Sequence, residues 1–133
     1  MTLNHQNEIL KTITSKSSVF SLRKDGILTV EPLSHFKTLS YQILNLDHKI
    51  VSELTNHKKV LFLTDNRTTY GLNSEQRNHV KELLNSKALK CAVLLNNDLG
   101  KYFFNFFNHL YKLKIPVKAF TKKENAVSWL LGK

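Results

Sequence analysis

The sequence predicts an α/β domain built on a mixed sheet, and three observations carry that expectation. Between Lys90 and Leu131, short apolar runs and helical patterns alternate twice with short connections, the order that parallel strands with crossover helices require. Upstream, two alternating segments, Ser18–Arg23 and Ile27–Glu31, flank Asp25-Gly26, a hairpin turn signal. Between these regions the apolar period lengthens from two to three and four, which places a helix ahead of a further strand.

Residues 1–16 are polar and weakly periodic. They are expected either to fray or to add a short strand around Ile9–Ile13, giving a partly ordered N-terminal segment before a single domain over 17–133. Pro32 ends the second hairpin strand or marks a sheet edge. Phe36, Leu39, Ile43, Leu46, Ile50 and Leu54 then share one face of a helix running from about Thr38 to Thr55, with Leu44 and Val51 widening the stripe. Val60–Asp65 reads as a buried strand ending in an acid. Asn66–Asn73 is too polar for a regular element.

A helix opens at Ser74, either with Asn73 as N-cap and Gln76 at the third position or with Ser74 as cap and Arg77 there. The former is the better capping box. Val80, Leu83, Leu84 and Ala88 supply its apolar face. Cys91–Leu95 is then a strand, Leu99–Leu113 a helix, Ile115–Thr121 a strand and Lys122–Leu131 a closing helix. The sum is four to five strands and about four helices.

At 133 residues the chain is long enough to bury one core without disulfides or metal. The one cysteine, Cys91, lies inside an apolar strand and reads as a buried thiol. The first residues lack a signal-peptide pattern, and no apolar run is long enough to span a bilayer. A cytoplasmic location is expected. The net charge of +10 is uneven: residues 1–66 carry 8 Lys/Arg against 6 Asp/Glu, and residues 67–133 carry 12 against 4. Seventeen of the twenty cations are lysine. Readers of phosphate and bases favour the arginine fork, so a solvated basic surface is expected rather than a nucleic-acid partner.

Motifs for catalysis are weak. The four glycines form no phosphate loop, no Gly-x-Ser-x-Gly elbow occurs, and no acidic pair accompanies Asp65 as a phosphate-receiver site would need. Asp65 is expected to hold its loop through backbone hydrogen bonds. The six histidines are scattered without metal-ligand spacing, so neither a metal nor a cofactor is expected. The Phe-rich segment is more suggestive. If Phe103, Phe107 and Leu110 face the sheet, Phe104 and Tyr111 fall near the opposite side, and apolar surface of that kind marks a partner or an apolar ligand. The candidate interaction surface is therefore Phe104, Phe106 and Tyr111, bordered by Lys101 and Lys112.

The order of elements resembles the STAS, or SpoIIAA-like, fold of anti-sigma-factor antagonists and sulphate-transporter tails. It is closest to small bacterial STAS-like proteins, mostly without assigned activity. The resemblance runs from about residue 18 to 131 and rests on Asp25-Gly26, Asp65, Ser74, Ala92-Val93-Leu94-Leu95, Asn105-Phe106-Phe107, Pro116 with Phe120-Thr121, and Ala126-Val127-Ser128-Trp129-Leu130. It implies a SpoIIAA-like mixed sheet of four to five strands, with an N-terminal antiparallel hairpin and about four helices. It also implies a phosphoacceptor at Ser74, since antagonists carry a phosphorylated serine in an Asp-Ser-Ser/Thr-Gly context at a helix start. Here Asn73, Glu75 and Gln76 depart from that context, and a phosphate next to Glu75 meets repulsion. Ser74 thus reads better as an ordinary helix-start residue. The expected function is a non-catalytic STAS-like regulatory or protein-interaction module, acting on a protein partner or as a homodimer. The alternative is lipid or small apolar anion binding at the Phe-rich helix.

Overall fold

A computed structural model describes residues 9–33, 41–67, 74–98, 100–101 and 113–133, with the backbone alone for 41, 74–77 and 79. Six strands form one sheet in the sequential order β1 to β6: β1 (Ile9–Thr14), β2 (Ser18–Arg23), β3 (Leu28–Pro32), β4 (Val60–Asp65), β5 (Ala88–Leu94) and β6 (Val117–Phe120). The first three are antiparallel neighbours, and β3 to β6 run parallel. The described helices are α1 (Tyr41–Leu54), α2 (Ser74–Lys87) and α3 (Lys123–Leu131).

The β2–β3 hairpin closes as the Asp-Gly signal requires. Arg23 N donates to Ile27 O at 2.9 Å, and Gly26 takes φ +89°, a left-handed conformation that glycine adopts without steric cost. Asp25 stiffens the turn, accepting from Ile27 N at 3.2 Å and from Arg23 Nη2 at 2.7 Å. The sheet has six strands rather than four to five. The sixth, at the edge, is β1, the strand that was one of the two outcomes expected around Ile9–Ile13, and it pairs with β2 through a register shift between Ile9 and Lys11. Its residues are mostly exposed, so no clean alternation announces it; Lys11 and the irregularity blunt the edge against pairing with other chains.

Alternation along the parallel strands splits the core in two. Phe20, Leu28, Val30, Phe62, Cys91 and Val93 point to one face, where Ile50, Val51 and Leu54 of α1 and Leu83 and Leu84 of α2 cover them. Leu63, Ala92 and Leu94 point to the other, where they join Ile27 and Ala126 and Leu130 of α3. Strands that step one way through a sheet place their crossover helices on one face, as α1 and α2 do. α3 lies over β5, flanked by β4 and β6. Its Gly132 C-cap takes φ +73°, so the chain turns off the helix without strain.

Two expectations need correction. Leu46, assigned to the buried stripe of α1, is 43% exposed, and the neighbouring Asp47 occupies the inward position at 1%. The reason is a hydrogen bond: Ser17 Oγ, in the turn between β1 and β2, donates to Asp47 Oδ2 at 2.6 Å, so the helix is rotated to bury an acid. Ser17 also lies within 3.2 Å of the Ser15 and Ser18 hydroxyls. Ala88, assigned to the face of α2, instead begins β5 directly after Lys87, with no connecting residue. It is still buried in the same core. The helix expected over Leu99–Leu113 lies mostly outside the described residues; Asp98, Gly100 and Lys101 are helical.

α1 ends on two left-handed residues, Asn56 at φ +55° and His57 at φ +63°. His57 N reaches back to Ser52 O at 2.7 Å, the closing bond of a Schellman turn.

Candidate functional site

Because β4, β5 and β6 are parallel, their carboxyl ends meet along one edge, the place where open α/β sheets present loops and helix starts. β4 ends at Asp65. Its carboxylate accepts from Arg67 Nε at 2.9 Å, Arg67 Nη2 at 2.7 Å and Arg67 N at 3.2 Å, so it does hold its loop, by side chain and backbone together. The Arg67 bonds keep Asp65 below the usual carboxylate range against the opposing effect of burial, with Lys123 helping. Asp65, Glu31 and Glu124 in turn raise Arg67. The charges at this edge are therefore coupled across β3, β4 and α3.

The strand ends are tied to each other. Asn66 N donates to Leu94 O and Leu95 N to Phe120 O, both at 2.9 Å. After β5, Asn97 Oδ1 accepts from Gly100 N at 2.7 Å and caps the turn that carries Lys101. A side chain at Gly100 would place Cβ 3.2 Å from that oxygen, so glycine suits the close approach. Thr121 Oγ1 lies 3.5 Å from Asp98 Oδ1 and links the ends of β5 and β6.

The residues singled out from sequence fall as follows. Ser74 is the first residue of α2, entered from the carboxyl end of β4. Lys101 is half-buried in the helical turn that follows β5, so both lie on the same edge of the sheet. Phe104, Phe106, Tyr111 and Lys112 lie outside the described residues. Cys91 is fully buried in β5, where desolvation pushes its thiol up to about 12 despite a contact with Thr64 Oγ1 at 3.6 Å. It is a core residue, protonated at neutral pH.

Sequence reading missed a second group. Lys90 on β5, Lys118 and Phe120 on β6 and Trp129 on α3 meet on the α3 side of the sheet. Their only signal in the sequence is a lysine set within each of two apolar strands and a single tryptophan in the last helix.

An antiparallel N-terminal hairpin feeding a sequential parallel sheet, with two crossover helices on one face and the C-terminal helix on the other, defines a SpoIIAA-like domain. That class agrees with a solved structure. The crystal structure of an uncharacterised protein of the DUF3478 family, with a SpoIIAA-like fold, from Shewanella loihica PV-4 superposes with a TM-score of 0.53 over 98% of each chain at 14% identity. Likeness at that identity speaks to the fold alone. The chain itself belongs to the family described as a domain of unknown function, DUF7793, whose model matches residues 20–132. None of the curated proteins matches it. Among the described residues, no helix is long and apolar enough to cross a membrane.

Proposed function

We propose that this chain is a non-catalytic STAS-like module that acts by protein association, with a second copy or another protein, through the carboxyl edge of its parallel strands. The observation that carries the reading is the placement of two helix starts side by side on that edge: Ser74 after β4, and the Asn97-capped turn with Lys101 after the adjacent β5. The Asp65–Arg67 ion pair, net neutral, fixes the backbone where β4 ends on the same edge. The contact surface in this reading is Lys101, Phe104, Phe106, Tyr111 and Lys112, the aromatic excess giving apolar area and the lysines a polar rim. Ser74 serves it as a helix-start residue.

Native mass spectrometry tests the proposal. The assembled mass of the purified protein should fall to that of the monomer in Phe104→Asp and Tyr111→Asp variants, because a buried unpaired charge opposes association. A wild type that is monomeric alone, and gains no protein partner by crosslinking in lysate that Phe104→Asp loses, overturns it. A small molecule of constant mass travelling with the monomer overturns it in favour of an apolar ligand. Phosphopeptide mapping after incubation in lysate reads Ser74, where a phosphorylated site makes the module a switch.

A further inference from the structure

Lys90, Lys118, Phe120 and Trp129 are unused by the association proposed above. Lys90 and Lys118 leave neighbouring strands on one face of the sheet, since Lys118 stands opposite Ala92 and Lys90 two residues before it. Lys90 Nζ sits 4.1 Å from the centre of the Trp129 ring and donates to the Trp129 carbonyl at 2.7 Å. The Phe120 ring lies 5.6 Å from that of Trp129, and Lys118 Nζ 5.5 Å from the Phe120 ring. Two rings thus lie in a strip with an ammonium at each end, each ammonium steadied by the ring beneath it. Among the described residues, neither lysine has a carboxylate within ion-pair distance. Lys122 and Lys133, both exposed, stand at the two ends of α3 and add to the positive potential.

We propose that this strip docks an acidic polypeptide segment, a contact that goes beyond the carboxyl-edge association and stands on different residues. Charge complementarity with a chain of net +10 selects an anion. Three features then select carboxylates on a peptide. Lysine is a compact point charge, which pairs with carboxylates one at a time and lacks the fork used to read bases. Single-stranded nucleic acid stacks its bases on open ring faces, whereas ammoniums stand over these rings. A bilayer surface takes up exposed apolar side chains, whereas Phe120 and Trp129 are half-buried.

Trp129 is the sole tryptophan, so its fluorescence reports this strip. The protein is titrated at low salt with octaglutamate, with octaglutamine, with oligothymidine and with vesicles containing phosphatidylserine. Octaglutamate should give a saturable change in emission that octaglutamine does not. Replacing exposed Lys118 with Gln should weaken binding by about threefold, as an exposed ion pair would, and adding Lys90→Gln at half-buried Lys90 should bring the loss to about tenfold. Lys49→Gln with Lys81→Gln removes the same charge from exposed positions on α1 and α2, across the sheet, and should bind octaglutamate as the wild type does. Circular dichroism confirms that each variant is folded, and Lys118→Gln alone decides the matter if Lys90→Gln disturbs the end of α3. Equal weakening by the two double variants, no response to octaglutamate, or tighter binding of oligothymidine or vesicles overturns the proposal.

Discussion

Replacing Asp47 should cost far more stability than its place on a surface helix suggests. The carboxylate is 1% exposed and so is its donor, Ser17, with 2.6 Å between the oxygens. A hydrogen bond to a charged group contributes about 1.5–3 kcal/mol, and an abandoned buried partner adds a desolvation penalty of about 1–3 kcal/mol. Part of that penalty is relieved for Ser17, whose hydroxyl has the Ser15 and Ser18 hydroxyls at 3.2 Å. Asp47→Ala should therefore lose about 2–4 kcal/mol, and Asp47→Asn, which keeps the shape and an acceptor but drops the charge, about 1–2 kcal/mol. Urea denaturation followed by circular dichroism measures both, with an unchanged slope certifying that the midpoint shift reports stability. The double variant Ser17→Ala/Asp47→Ala is the sharper test. Residues in direct contact should couple by about 0.5–3 kcal/mol. Strictly additive losses, or a loss under about 1 kcal/mol for Asp47→Ala, would refute the claim that this bond sets the rotation of α1.

Further outcomes are expected elsewhere. The Cys91 thiol, raised to about 12 by burial, should resist iodoacetamide at neutral pH and become alkylated only at the rate at which the protein opens, so added urea should accelerate labelling in step with unfolding. Asp65 is held below its unfolded value, so its pair with Arg67 adds stability above the ordinary carboxylate range and loses it as the pH falls through the depressed folded value. The pair is partly exposed, and Asp65→Asn should cost under about 1 kcal/mol at neutral pH and flatten that part of the stability profile in acid. Backbone conformation gives a pair of opposite sign, read by thermal melts. Gly26→Ala, at φ +89°, should lower stability by about 1 kcal/mol, while His57→Gly, relieving a left-handed residue at φ +63°, should raise it by up to about 1 kcal/mol.

The parallel strands and the hairpin were legible because their signals are local. Val60–Leu63 and Cys91–Leu94 are continuous apolar runs, and Asp25-Gly26 supplies turn chemistry suited to a tight antiparallel hairpin. Asp47 was not legible, because the spacing of Leu46 fits the apolar stripe equally well and the donor that pulls the acid inward lies 30 residues away. Exposed β1 was legible only as one of two outcomes, a short strand around Ile9–Ile13 or a frayed segment, because an edge strand with little to bury carries little period. At the carboxyl edge, sequence located Asp65, Ser74 and Lys101 by element order, but not the charge coupling among Glu31, Arg67 and Glu124, which depends on how β3, β4 and α3 assemble. The strip of Lys90 and Trp129 spans 39 residues and exists only once α3 has docked on β5.

The junction of Lys87 and Ala88, where helix passes into strand without a spacer, bears on where this chain can change in length. One residue inserted there advances β5 by a single position. Cys91 and Ala92 then exchange faces, and a thiol sized for the space beneath α1 and α2 is pressed into the contact that alanine leaves for α3. Insertions should therefore be excluded at this seam.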